Sequence, residues 1–386
     1  MKFAPSTSLR AVAFSTLLVW LTPRIARAES SAAYKHEDYR EAGGRIVVKT
    51  DGAYLEQDFG TASHIKVEGI LDAIAGATPN GQPAPAGSDQ VPLAKLTERR
   101  KAWSAGFSHQ FTASKLTLGV ANSRESDYVS TGLSLNSQTD FNQKNTTLLI
   151  GIAGTDDDVK VFYQADRAKK RTHDLIVGVT QLLDPNTAVT LNLTWGRQRG
   201  YLSDPYKLVQ KNTEIITGVF LPLTFAENRP DERDKWIALA NINRALPPLG
   251  ATIDLSYRFY HDTFGTDAHT LDFAWFQNVG ERVILRPSLR FYDQTAASFY
   301  RYRFDGTNIT PVQGPPRPDG PFYSSDYRLS EMRTTTYGLK VIWKITDALH
   351  IDASYERYDM RGQDEITPQS AYARADIWAA GVKFAW

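Results

Sequence analysis

The stretch that decides the fold is Asp376-Ile-Trp-Ala-Ala-Gly-Val-Lys-Phe-Ala-Trp386, DIWAAGVKFAW in one-letter code. Trp378, Val382, Phe384 and Trp386 all fall on one side of a two-residue alternation, the spacing that places side chains on one face of a strand. The last residues of a soluble domain usually fray as a polar tail. A final strand with this apolar face is expected instead to zip a closed sheet shut with lipid outside. These four residues are the expected barrel-assembly signal.

The same alternation recurs upstream. Val189, Leu191, Leu193 and Trp195 alternate with Thr190, Asn192, Thr194 and Gly196. Ile253-Leu255-Tyr257-Phe259, Leu271-Phe273-Trp275, Val283-Leu285-Pro287-Leu289-Phe291 and Ile351-Ala353-Tyr355 repeat the pattern. One face suits lipid and the other water. Short connections with turn chemistry, such as Asp184-Pro-Asn186 and Asn278-Val-Gly280, are interleaved with long polar stretches near 75–99, 154–169, 198–232, 294–332 and 360–373. That asymmetry is expected of an all-β transmembrane up-and-down antiparallel barrel with short periplasmic turns and long extracellular loops. A soluble β-sandwich would also alternate, but has no need of a terminal aromatic strand and consistent loop asymmetry.

The pattern yields strands near 44–57, 62–73, 101–111, 115–125, 128–140, 145–153, 170–183, 187–197, 233–244, 251–261, 269–277, 281–293, 333–345, 349–359 and 374–386. An up-and-down barrel with both ends on one side needs an even number. Residues 31–40 (SAAYKHEDYR) are the only room for the missing strand, with Glu41-Ala-Gly-Gly44 as its turn. Sixteen strands is the expectation, with fourteen as the alternative if one weak pair lies outside the wall.

At the other end, Lys2 and Arg10 precede an apolar run, Ala11–Leu21, and a small-residue site, Ala26-Arg27-Ala28. The run is about half the ~20 residues of a spanning helix. Residues 1–28 are therefore expected to be a secretory signal and 29–386 the barrel. The segment 1–28 carries four basic and no acidic residues, so the chain's 44 basic and 43 acidic residues become 40 and 43 on its removal, a net charge of −3. No clustered basic face suggests nucleic acid. The absence of cysteine excludes disulfides, thiol catalysis and cysteine-rich metal sites.

Several stretches resemble a bacterial outer-membrane β-barrel family catalogued as a domain of unknown function. They are LDAIAGATPNG (71–81), SRESDYVSTGLSL (123–135), QKNTTL (143–148), RPDERDKW (229–236), YRFYHDTFG (257–265), SFYRYRFDG (298–306) and YSSDYRLS (323–330). The resemblance spans nearly all of 29–386. It implies an outer-membrane barrel with no established activity, cofactor or catalytic residue, and a link to periplasmic redox or flavoprotein systems.

Arg282, Arg286 and Arg290 share one face of their strand, and Lys340 and Lys344 share that face on its neighbour. Such a basic ladder, with Arg258, would line the pore and bias it toward anions. Asp254, Asp272, Asp352 and Glu356 point the same way, so a mutually neutralised network is the competing reading. Glu125-Ser-Asp127-Tyr128 and Ser325-Asp326-Tyr327-Arg328 stand where loops meet strands, bracing the loops into a plug, coordinating calcium at the surface, or serving as hydrogen-bonded loop feet. Asp156-Asp157-Asp158 lacks the glycine and distal glutamate of a calcium loop and reads as a solvated tip. The histidines show no metal spacing, although His261 and His269 flank one tight loop and could meet. No stretch nominates a Ser–His–acid trio, so neither enzymatic activity nor a metal or cofactor is expected. Tyr201, Tyr206, Phe220, Phe225, Phe299, Tyr300, Tyr302, Phe304, Phe322 and Tyr323 make the loops 198–232 and 294–332 too aromatic for idle solvated segments. They are expected to fold inward and narrow the pore, with an external binding surface as the alternative.

The sequence thus points to a porin-like channel or exporter for a small polar solute in the bacterial outer membrane. The alternative is a non-conducting docking barrel for a periplasmic or surface partner. Lipid and the barrel-assembly machinery are the other expected partners.

Overall fold

The computed structural model describes residues 30–312 and 314–386; the expected signal segment lies outside them. The strands are β1 (Ser31–Glu41), β2 (Val47–Phe59), β3 (Ser63–Pro79), β4 (Leu93–Gln110), β5 (Ser114–Arg124), β6 (Tyr128–Phe141), β7 (Thr146–Val159), β8 (Ala168–Asp184), β9 (Thr187–Gly200), β10 (Leu208–Ile216), β11 (Val219–Ala226), β12 (Glu232–Leu246), β13 (Ala251–Asp262), β14 (Asp267–Val279), β15 (Val283–Gln294), β16 (Met332–Lys344), β17 (Leu349–Gly362) and β18 (Arg374–Ala385). Sixteen close into one antiparallel barrel, each paired with its neighbours in sequence, while β10 and β11 form a separate hairpin between β9 and β12. Every connection is a hairpin, so alternate connections lie at opposite ends. Those at one end, 60–62, 111–113, 142–145, 185–186, 247–250, 280–282 and 345–348, are short turns; all the long loops lie at the other.

Residues 31–40 supply the strand that parity demands. β1 pairs with β18 from Ser31–Ala385 to Glu41–Ala375, and the Trp386 amide donates to the Ser30 carbonyl at 3.0 Å. Closure leaves no free edge for another chain to extend. Trp378, Val382, Phe384 and Trp386 all face outward, exposed by 38–57%.

That outer face is apolar at mid-wall, with Leu118, Leu133, Leu135, Ile150, Ile152, Leu191, Leu193 and Leu339 exposed. Trp103, Trp195, Trp236, Tyr257, Tyr337 and Trp378 ring it toward the loop end, and Phe59, Phe111, Phe141, Trp343, Phe384 and Trp386 toward the turn end. From Trp103 to Phe111 is eight residues, which at ~3.3 Å each and a ~40° tilt gives roughly 20 Å of height. Aromatic girdles flanking a band of about this height are the signature of a wall that meets lipid.

Three sequence expectations need correction. Arg282 belongs to the exposed turn before β15, beyond the wall proper. Asp156–Asp158 are not a loop tip, because β7 and β8 extend the wall and pair them with Arg171, Lys170 and Lys169. Asp157 faces inward and is buried, while Asp156 and Asp158 face outward. The segment 198–232 is not all loop, since it contains the β10–β11 hairpin.

Candidate functional site: the capped lumen

A sixteen-stranded barrel is wide enough to leave an aqueous interior, and the inward side chains divide that interior in two. Midway and toward the turn end, ion pairs remain part-exposed. Arg290 meets Asp272 at 3.1 Å with side-chain exposures of 34% and 42%. Lys340 meets Asp352 at 2.7 Å, Lys35 meets Glu37 at 2.8 Å and Lys66 meets Glu56 at 3.4 Å. Toward the loop end the inward face is sealed: Asp72, Asp157, Asp262, Thr270, Met332, Thr334 and Met360 are buried.

Among the residues expected to line the pore, Arg258, Arg286, Arg290, Lys340, Lys344, Asp254, Asp272, Asp352 and Glu356 occupy inward positions of the alternation, opposite in phase to exposed Leu255, Leu271, Phe291, Val341 and Ile351. The basic ladder is interrupted by partners. Arg290 and Lys340 are paired with carboxylates as above. Arg286 lies over the Phe276 ring, 5.2 Å from its centroid. Asp254 accepts from Asn241 at 2.6 Å, and Arg258 donates to Thr270 at 3.4 Å. Glu356 lies across from Gly338, where even a Cβ would stand 2.6 Å from its Cγ. The basic face is thus neutralised at Arg290 and Lys340, while Arg286 and Arg258 rest on an aromatic ring and a hydroxyl. His261 and His269 do not meet: His261 contacts Asp267 at 2.7 Å and His269 the Tyr257 hydroxyl at 2.7 Å.

The seal is a cap folded from the long loops. Phe225, Phe299, Tyr300, Tyr302, Phe304 and Tyr323 are buried in it, as the aromatic content of the loops predicts, while Phe220 at the hairpin tip stays 59% exposed. Phe299, Tyr300 and Tyr302 share a cluster with Phe264, Val91, Met332, Met360 and Tyr372. Val209, Phe225, Phe304 and Tyr323 form a second. Hydrogen bonds tie the loops to one another: the Leu208 amide to the Asn80 carbonyl (2.8 Å), the Ala84 amide to the Tyr302 hydroxyl (2.7 Å), and Tyr300 to Thr367 (2.6 Å). Gly81 sits at a tight junction with φ +92, where a Cβ would meet the Leu208 carbonyl at 2.5 Å and Ser325 Oγ at 2.9 Å. Only glycine combines that backbone conformation with that approach.

At the centre of the cap six charges are largely withdrawn from water: Asp204, Lys207, Glu227, Arg229, Asp326 and Arg328. Arg328 reaches Asp204 at 2.5 Å and also pairs with Asp326. Arg229 holds Glu227 at 2.7 Å and Asp326 at 2.8 Å. Ser324 donates to Glu227 at 2.6 Å, and the Lys207 ammonium donates to the Pro79 carbonyl. Three positive and three negative groups thus join the loops 201–231 and 295–331 to each other and to the end of β3. Burial alone would raise the Asp326 carboxyl, but Arg328, Lys207 and Arg229 outweigh it and hold Asp326 well below the usual range. Glu227 has less compensation, and burial pushes it up to about 7. Burial likewise brings Lys207 down to about 8.

Of the two tyrosine–acid motifs, Asp326–Arg328 lies inside this cluster, bracing the loops. Asp127 accepts from Tyr206 of the neighbouring loop, and Tyr128 donates to Asp157 at 2.6 Å. Asp204, Lys207, Glu227 and Arg229 escaped the sequence reading because their contacts with Arg328, Pro79, Ser324 and Asp326 join positions far apart in the chain. The Thr217-Gly218 turn between two apolar runs was the available signal for the hairpin.

The family model described as "Protein of unknown function (DUF3570)" matches residues 11–380, and the chain belongs to that family. No curated protein matches it. Similar solved structures include the siderophore receptor PirA from Pseudomonas aeruginosa, at 10% identity and TM-score 0.43, covering 94% of this chain and 62% of that one. A bacterial polysaccharide outer membrane secretin is similar at 9% identity and TM-score 0.47, with 92% and 98% covered. The loop L8 deletion mutant of OmpT, an outer membrane protein of Vibrio cholerae, is similar at 8% identity and TM-score 0.43, with 93% and 100% covered. The chain thus spans less than two thirds of the length of the receptor PirA.

Proposed function

We propose that this DUF3570 protein is a gated, porin-like conduit of the bacterial outer membrane for a small polar solute, with its turns in the periplasm and its cap at the cell surface. The observation that carries the reading is the contrast along the lumen. Water-accessible ion pairs such as Lys340–Asp352 and Lys66–Glu56 line the turn-end half, whereas a hydrogen-bonded cap fills the loop end. A wall built only as a scaffold has no use for hydrated charges inside it, and an ever-open pore has no use for a braced cap. Planar-bilayer recording tests this: the intact barrel should show rare openings, and a variant with a broken cap steady, ohmic current. A barrel that stays silent after its cap is cleaved away sinks the conduit reading.

The density of the cap favours a second reading, a closed barrel that docks an envelope partner and conducts nothing. The same recording separates the two, because docking requires silence in both preparations.

A further inference from the structure

Above the loop-end girdle the outer wall carries charges in opposite-sign pairs along most of its circumference. Arg40 pairs with Asp38 (2.6 Å), Arg357 with Asp376 (2.8 Å), Arg333 with Asp293 (2.9 Å), Arg197 with Glu232 (2.7 Å) and Lys169 with Asp158 (2.6 Å). One sector departs from this pattern. Lys95, Arg99 and Lys101 alternate along the outward face of β4, and Arg124 of β5 stands directly opposite Lys101. All four are exposed. Their remaining outward cross-strand neighbours are Ala77, Ala73, Leu71 and Val129, with no carboxylate among them. Glu98, the nearest acid along β4, is buried and faces inward toward Ser126.

Like charges directly opposite on a sheet destabilise it, so a wall that pairs its cations elsewhere but leaves Lys101 and Arg124 facing each other lacks a counter-ion here. The height of the sector says what kind. Lys101 and Arg99 are two and four residues above Trp103, the girdle residue of the same strand, which puts them and Arg124 at the level of lipid headgroups, while Lys95 stands higher on the wall. Ala73 and Ala77 keep the wall flush beside them, leaving room for a group larger than an ion. Arg99 and Lys101 are about 7 Å apart along the strand and Arg124 about 5 Å across from Lys101, so one headgroup bearing two phosphates can touch all three.

We infer that Arg99, Lys101 and Arg124 form a binding site for a lipid whose headgroup carries two phosphates, held against the outer wall between β3 and β5. The site rests on the orientation proposed above but not on conduction, because lipid retention in micelles is indifferent to whether the pore opens.

The test is native mass spectrometry of the delipidated full barrel titrated with bisphosphorylated lipid A, its monophosphorylated form and its fully dephosphorylated form. Wild type should bind them in that order of strength. Each basic residue near an anionic headgroup is worth roughly a factor of five, so Arg99→Gln/Lys101→Gln/Arg124→Gln should weaken the bisphosphorylated complex on the order of 100-fold. Arg171→Gln, which removes a paired cation from the same band, should leave it nearly unchanged. Retention of the heat-modifiable gel shift certifies that each variant is folded, and the three-lipid series on wild type decides the matter should the triple variant not assemble. Equal binding of bisphosphorylated and dephosphorylated lipid by wild type overturns the site. So does inorganic phosphate binding as tightly as the lipid, or a folded triple variant that binds like wild type.

Discussion

Arg328 and Asp204 lie 2.5 Å apart across 124 positions of chain, and that contact clamps the loop 295–331 onto the loop 201–231. Arg328 also closes on Asp326, so its removal strands buried Asp204 and leaves Asp326 with Arg229 alone. Breaking a buried pair on one side costs about 3–5 kcal/mol, concentrated here in the cap because the wall has its own hydrogen-bond ladder. Arg328→Ala should therefore raise open probability and expose 295–331 to added protease on intact cells, while the heat-modifiable mobility of the barrel stays that of wild type. Loss of the barrel itself would mean that the cap and wall fold as one unit.

In the lumen, Arg290→Ala removes the partner that Asp272 holds at 3.1 Å and leaves a part-exposed negative charge on the inner wall. Charged side chains around a pore set its ion preference, so the reversal potential of a decapped barrel should move toward cation selectivity. Asp272→Asn should move it the other way. Arg286, which lies on Phe276, should shift anion preference downward when replaced by Ala without creating an unpaired acid. Identical reversal potentials in all three variants would place the conduction path away from this wall.

The sequence discloses the wall far better than the cap for a physical reason. A strand between lipid and water must alternate at every step, so β9 or β13 can be recognised from its own residues, and parity then supplies β1 without further evidence. Sharp boundaries were less accessible. β3 runs on to Pro79 and β4 begins at Leu93, because their upper halves rise past the girdle, where outward positions such as Lys95 and Arg99 are charged and the apolar signal fades. In the cap, burial is decided by neighbours distant in sequence: Glu227 beside Arg229 alone reads as a solvated pair, and Ser324 and Asp204 help make it a buried one. The aromatic surplus of the loops betrayed that they pack, but not which charges they pack around.

The terminal strand carries its own prediction. Its outward face holds Trp378, Val382, Phe384 and Trp386, and its edges join β17 and β1. Deleting residues 380–386 removes the partners of Ser31–His36 and opens the barrel, exposing backbone groups that lipid cannot satisfy. That truncation should abolish the heat-modifiable species altogether. Phe384→Ala, which keeps every backbone bond, should reduce assembled yield severalfold and leave whatever assembles with normal mobility. Equal yields of Phe384→Ala and wild type in an assembly time course would remove the outward aromatic face from the assembly signal.

The cap should respond to pH through Glu227. Burial raises this carboxyl to about 7, above its unfolded value near 4.3, so within that window the folded cap binds a proton that the unfolded loops release. A group shifted in this direction contributes stability that is fully present below the unfolded value and lost as pH rises through the folded one. Lys207, lowered to about 8, works in the opposite sense, since its penalty for carrying charge in the interior is relieved only above pH 8. Lys207 keeps its charge between pH 5 and 7.5, so of these two groups Glu227 sets the slope, and open probability should climb with pH across that interval. Glu227→Gln, a neutral group of the same shape beside Arg229 and Ser324, should flatten the climb and leave the cap closed at pH 7.5. A profile that rises equally steeply in Glu227→Gln would assign the response to some other group.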